Sequence, residues 1–371
     1  MRPKKSALLP ALLLAQIAFL TPTGSAEDKV TDIGTTDRVE RLFSFPNNCA
    51  VICYLPWSLE DTVAHYLRQS VQRDGYADAS VDVRERDGRI EVAFDGLPAD
   101  YGQRIQSFLE AGDLAFAGAQ DLNAAGKWKF NWLFFLPLGM AVENHRSVEL
   151  LHFPPDYSLT QAQNYLQSAT TDRWAELLTV NGIEADDTPK YQTIVDIAPI
   201  AAPASAGKEL EGTYSYFDRY HTAILELWTR KDADTAYPMV AFGAPVRAWI
   251  KTAYGADIGV LGLASVTLPS GLDVPVLGSN HPSDIWYASD PKNYDGNEQK
   301  ADAAGIKVMT QDLKAACWQA RMGETPTADA STTLSGCESY WDAHPTDICE
   351  RFYTKIRELS PDKAREKCAQ V

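Results

Sequence analysis

Cysteine is missing from the long middle of this chain: residues 54 to 316 contain none, and all six fall near the two ends. Basic residues are also scarce, 34 Lys and Arg against 50 Asp and Glu. Non-specific nucleic-acid binding is driven by neutralising phosphates with Lys and Arg, so this balance argues against a DNA or RNA partner. Beyond the first twenty residues no apolar run approaches the length of a membrane span. Gly-x-Ser-x-Gly, His-Glu-x-x-His and a Walker loop are absent, as are internal repeats and low-complexity segments. No His or Cys pairs stand at matched zinc-ligand spacing. The sequence therefore calls for no metal and no cofactor.

The first 26 residues carry Arg2, Lys4 and Lys5, then an apolar run from Ala7 to Leu20, then Gly24-Ser25-Ala26. A basic start, a short apolar middle and small residues at −3 and −1 predict a secretory signal peptide, with the mature chain starting at Glu27. Its removal takes away three basic and no acidic residues, moving the formal charge from −16 to −19. The expected location is periplasmic or secreted, with no membrane span after cleavage. Six cysteines behind such a leader read as disulfides, for which 15 connectivities exist. Cys317, Cys337, Cys349 and Cys368 are expected to staple a helical tail. On a strand, Cys49 and Cys53 would lie roughly 13 Å apart. They either bond elsewhere or sit in a segment that turns.

Residues 27–117 read as a small α+β domain of β-α-β-β-α order. Residues 27–46 are polar and expected to be loose, Ala50 to Tyr54 a strand, Ser58 to Arg73 a helix and Ala99 to Ala111 another. Between the helices, Val81 and Val83, then Ile90 and Val92, alternate with polar residues around Asp87-Gly88, a favoured hairpin turn. This unit shows no chemistry and suits packing or a protein partner.

A boundary over 118–129 leads to an α/β domain at 130–322. Trp132 to Leu136 predicts a buried strand ending at Pro137-Leu138-Gly139-Met140. Helices are expected over 158–168, 173–180 and 214–231, with a strand at 191–197. Pro238 to Phe242 predicts a strand, closed by Gly243, and Ala244-Pro245 opens a helix to Tyr254, Pro being suited to a first turn. Val274 to Leu277 predicts a last strand running into Gly278-Ser279-Asn280-His281-Pro282-Ser283. Residues 284–297 read as a polar loop and 301–322 as a helix. Strands alternating with helices predict a three-layer α/β/α domain with a mainly parallel sheet. The cysteine-bearing helical tail at 323–371 follows, with a helix over 349–359.

The ordered set of Phe134 to Gly139, Met239 to Ala244, Pro275 to Ser283 and Gln311-Asp312-Leu313 resembles the uracil-DNA glycosylase superfamily over about residues 130–322. The resemblance implies cleavage of an N-glycosidic bond, with a carboxylate or Asn positioning water and a His stabilising the departing base. It gives His281 the catalytic role and places Gly139, Met140, Asn144, Phe153, Asn280 and Ser283 at the ligand. Phe153 either stacks on a base or belongs to the core. Where family motifs carry Asp, Asn or Glu within two residues of the Gly, this chain has Gly139-Met140-Ala141-Val142. Residues 130–323 hold 14 basic and 23 acidic side chains. The expectation is thus a degenerate or redirected domain that binds a small nucleobase-like heterocycle. The alternative is a non-enzymatic periplasmic structural or protein-interaction protein whose His-Pro-Ser segment only closes a strand.

Overall fold

The computed structural model describes residues 41–46, 68, 71, 76–86, 89–98, 129–130, 145–153 and 169–369. Near the N-terminus, β1 (Arg41–Pro46), β2 (Ser80–Arg86) and β3 (Arg89–Asp95) form an antiparallel sheet in the order β1-β3-β2. The hairpin expected around Asp87-Gly88 is present, with Val81 opposite Phe94 and Val83 opposite Val92. The expectation that 27–46 is loose is corrected over 41–46: Leu42 and Phe43 lie opposite Ala93 and Val92. A strand there fits the alternation of Leu42 and Ser44 with Phe43 and Phe45. Arg68 and Val71 are helical, inside the helix expected at 58–73. The predictions at 50–54, 99–111, 132–140 and 158–168 lie outside the described residues.

The larger sheet has five strands in the order β6-β5-β8-β10-β9. They are β5 (Val148–Leu151), β6 (Thr193–Asp196), β8 (Met239–Phe242), β9 (Leu263–Thr267) and β10 (Asp273–Ser279). All pairs are parallel except β9 with β10. A two-residue pair, β4 (Lys129–Phe130) with β7 (Ile200–Ala201), stands apart. The mainly parallel sheet was expected; β5 and β9 were not. Glu149 makes β5 read as half polar, yet it is 2 % exposed. Only Val266 of β9 is fully buried, so that strand lacks an apolar run.

From residue 169 on, the helices of five or more residues are α1 (Ala169–Val180), α2 (Asp218–Trp228), α3 (Gly243–Tyr254), α4 (Asp284–Ala288), α5 (Glu298–Glu324), α6 (Ala330–Asp342), α7 (Pro345–Lys355) and α8 (Pro361–Cys368). The helix expected from residue 214 starts at Asp218, preceded by a 3-10 stretch over Glu211–Phe217. The expected polar loop at 284–297 is corrected: α4 and a 3-10 turn at Pro291–Tyr294 occupy it, because Ile285 is fully buried and anchors the turn.

Alternation along β8 divides the interior in two. Met239 and Ala241 join Ile224, Leu225, Trp228, Val246 and Ile250; Val240 and Phe242 join Trp174, Leu177, Leu313 and Trp318. Strand side chains alternate faces, so this one strand feeds two cores. Buried aliphatic and aromatic side chains of this size each stabilise by about 1.5–3 kcal/mol. Asn297 caps α5, accepting the Lys300 N–H at 3.0 Å, and Asp329 caps α6, accepting the Thr332 N–H at 2.7 Å.

The tail is stapled as expected. Cys317–Cys337 ties α5 to α6 and Cys349–Cys368 ties α7 to α8, each with Cα atoms 5.8 Å apart. A Cβ at Gly305 would lie 2.3 Å from the Phe352 ring, so glycine there lets α7 close onto α5. Among the described residues, no helix is long and apolar enough to cross a membrane.

Candidate functional site

Because β6, β5, β8 and β10 are parallel, their carboxyl ends share one edge. That edge is where open α/β sheets bind ligands. It carries Asp196 at the end of β6, His152 and Phe153 beyond β5, Gly243 beyond β8, and Asn280 and His281 beyond β10.

The residues after β10 are wound into a turn that orients the His281 ring. The His281 N–H donates to Asp284 Oδ2 at 2.9 Å, and its carbonyl accepts from the Asp284 N–H at 2.8 Å. The Ser283 N–H donates to His281 Nδ1 at 3.2 Å, and the Ser283 hydroxyl lies 2.6 Å from the same nitrogen. A nitrogen that accepts from an N–H carries no proton, which assigns the proton of the neutral ring to Nε2. Burial pulls the His281 pKa below its ordinary value; Asp284 opposes the shift and Arg173 adds to it. Near neutral pH the side chain is thus an uncharged Nε2–H donor.

Two helices hold this turn from outside it. Asp312 of α5 accepts from the Asn280 side-chain N–H at 3.1 Å, and Gln311 accepts from the same amide at 3.1 Å. Arg173 of α1 donates to the Pro282 carbonyl at 3.0 Å and pairs with Asp312 at 2.7 Å. Burial pushes the Asp312 carboxyl up to about 6, against the pull of Arg173 and Asn280. Arg247 of α3 donates to the Ser279 carbonyl.

β8 separates β5 from β10, so the backbones of those two strands run roughly 10 Å apart. Gly243 stands between their ends. It has φ +81°, and a Cβ there would come within 3.4 Å of His281 Cβ. On the far side, His152 Nε2 lies 2.8 Å from the Tyr214 hydroxyl, and Phe153 meets the His152 ring edge-on at 4.6 Å. Gly207 packs over both rings. Burial, with His281 adding to it, holds His152 down at about 4. Phe153 is half-buried and packs on the core.

Asn280, His281 and Ser283 are thus brought together, with Phe153 across the edge beside His152. Gly139, Met140 and Asn144 lie outside the described residues. Sequence reasoning missed His152, Arg173, Tyr214 and the site role of Asp312. The one available signal was Leu150-Leu151-His152, a short apolar run ending before Pro154-Pro155.

A second polar cluster is buried in the core away from this edge. Gln319 Nε2 shares its two N–H groups among Ser147 Oγ at 2.7 Å, Glu149 Oε1 at 2.9 Å and the Tyr191 carbonyl at 2.7 Å, while its Oε1 accepts from the Trp174 indole at 2.6 Å. Burial pushes the Glu149 carboxyl up to about 8, with the Gln319 bond opposing.

Among the described residues, no group of three or more His, Cys, Asp or Glu is placed to hold a metal ion. No protein-family model, curated protein or solved structure matches this chain.

Proposed function

We propose that this chain is an exported protein whose residues 130–322 form a three-layer α/β/α domain related to the uracil-DNA glycosylase superfamily, with its chemistry degenerate or redirected toward binding a small nucleobase-like heterocycle. The observation that carries the reading is the neutral His281 imidazole, presented as an Nε2–H donor by a turn that Arg173, Asp312 and Asp284 hold in place. Such a donor suits a ring carbonyl or ring nitrogen, and an uncharged group near it avoids the cost of burying an unpaired charge.

The order of elements supports the kinship: β8 runs into the α3 helix, β10 runs into His281-Pro282-Ser283, and α5 carries Asp312-Leu313. The sequence after Gly139 argues for lost or redirected chemistry. It reads Met140-Ala141-Val142, with no carboxylate or amide before Glu143 to position a water. The leader sequence and the two disulfides support export. Residues 27–117, as a β-α-β-β-α module, offer a surface for a protein partner.

Saturation-transfer NMR of the full chain against free uracil, cytosine and hypoxanthine tests the reading. Binding of at least one base, abolished by His281→Ala in a protein that retains its circular dichroism, is expected. Absence of binding, or binding unchanged in His281→Ala, overturns it in favour of a non-enzymatic protein in which Ser283 and His281 simply close the β10 turn.

A further inference from the structure

One cation at the carboxyl edge of the sheet is short of partners. Arg247 lies on α3 four residues after Gly243, so the two share a face of that helix, and Gly243 is the residue that stands against His281. The Arg247 side chain crosses the end of β10, where a Cβ on Gly278 would come within 2.9 Å of Arg247 Cδ. Glycine at that position makes room for it.

The Ser279 carbonyl fixes the guanidinium at this edge. Gly278 turns both backbone groups toward β9, donating to the Gly262 carbonyl at 2.9 Å and accepting from the Leu261 N–H at 2.8 Å. Successive residues of a strand alternate the direction of these groups, so the Ser279 carbonyl points the other way, toward β8 and Gly243. The guanidinium bound to it therefore lies between the ends of β8 and β10, beside the turn that carries His281. Ser279 and His281 are two residues apart, at most roughly 7 Å of chain.

A guanidinium offers a fork of N–H donors, and among the described residues Arg247 uses it only on Ser279. None of the ion pairs among the described residues includes Arg247. Burial works against its charge and Asp284 supports it, but the Asp284 carboxylate is turned to the His281 N–H at 2.9 Å. A half-buried cation with spare forked donors suits a carboxylate or phosphate group, which it can meet with two parallel bonds. The excess of 50 acidic over 34 basic residues repels a polyanion, so the fitting ligand is small and carries one such group.

We propose that Arg247 is an anion anchor beside His281, and that the ligand of this edge is a heterocycle bearing one oxyanionic group, a ring carboxylate or a phosphate monoester. The inference rests on reading the His281 edge as a heterocycle site. It adds the charge of the ligand and the residue that selects it.

Isothermal titration calorimetry on the full chain decides it, pairing uracil with orotate, uridine with uridine 5′-monophosphate, and inosine with its 5′-monophosphate. In at least one pair the anionic member is expected to bind about tenfold or more tighter than the neutral one, as a charged hydrogen bond is worth. A gain for orotate alone identifies a ring carboxylate, and a gain for the monophosphates alone a phosphate. Arg247→Gln keeps a donor for the Ser279 carbonyl and is expected to bring the two members of that pair to equal affinity. Added salt should narrow the same ratio in the unaltered protein, which tests the anchor without a substitution. Neutral members that bind as tightly as their anionic partners, or a ratio that survives both Arg247→Gln and added salt, overturn the anchor and leave the base site standing. Failure of every ligand to bind overturns both.

Discussion

Asp312 and Arg173 meet at 2.7 Å with 0 % and 7 % of their side chains exposed, and between them they grip both sides of His281. Asp312 takes the Asn280 amide before it and Arg173 takes the Pro282 carbonyl after it. The candidate site is thus positioned by α1 and α5, two helices far apart in the chain.

Removing one partner of such a pair leaves the other charge buried. Asp312→Ala is expected to cost about 3–5 kcal/mol in urea unfolding. Arg173→Met with Asp312→Leu removes both charges and is expected to recover most of that loss. If the double variant is as unstable as the single one, packing rather than the uncompensated Arg173 charge dominates.

Gly243 is the hinge between β8 and α3, and it lies against His281. At φ +81° any L side chain is strained, and a Cβ must also fit 3.4 Å from His281 Cβ. Gly243→Ala is expected to destabilise by about 1–3 kcal/mol and to shift the His281 ring resonances. Unchanged His281 resonances would show that the two positions are not in contact.

His281 is expected to give the ¹⁵N signature of a neutral ring protonated at Nε2. Protonation should occur only well below its ordinary pKa, because burial opposes the charge. Ser283→Ala removes the hydroxyl beside Nδ1 but keeps the Ser283 N–H that donates to it, so the Nε2–H tautomer should persist. An Nδ1–H ring in the unaltered protein contradicts the donor assignment on which ligand orientation depends.

Legibility in the sequence followed punctuation and periodicity. The Asp87-Gly88 hairpin, β8 with α3, and β10 were readable because glycine and proline bound short apolar runs, and the stapled tail was readable from its cysteines. β5 was hidden by Glu149: a carboxylate in mid-strand reads as surface, and only Gln319, far along the chain, makes its burial tolerable. The His281 turn was found from His-Pro-Ser and its position after a strand. Its supports were not, because Arg173 and Asp312 look like ordinary helix-surface charges until tertiary packing buries them. α4 read as a loop because one buried residue, Ile285, decides it.

Glu149 makes stability depend on pH. Its folded pKa, about 8, lies above the ordinary glutamate value of 4.5, so the acid form favours folding and the contribution is complete below about pH 4.5. It is lost as pH rises through about 8, by roughly 3–5 kcal/mol. Glu149→Gln keeps an oxygen for Gln319 and is expected to flatten unfolding free energy across that window. His221 acts on the other flank: burial lowers it to about 3 from 6.5, so its contribution is present above pH 6.5 and is lost as pH falls. An unaltered pH slope in Glu149→Gln would mean that Glu149 is ionised in the folded protein.

The two disulfides among the described residues close loops of similar length, with sequence separations of 20 and 19. On loop entropy alone each is worth about 3 kcal/mol. They differ in what lies beside them. Cys317 is two residues from Gln319, whose Oε1 holds the Trp174 indole at 2.6 Å, whereas Cys349 and Cys368 join α7 and α8 in the tail. Replacing Cys317 and Cys337 by alanine is expected to lower stability and also to speed hydrogen exchange at the Trp174 indole. Replacing Cys349 and Cys368 should cost a comparable amount with that indole still protected. Equal exchange in the two variants would show that the α5 staple does not reach the polar cluster beneath β5, and that loop closure is all it contributes.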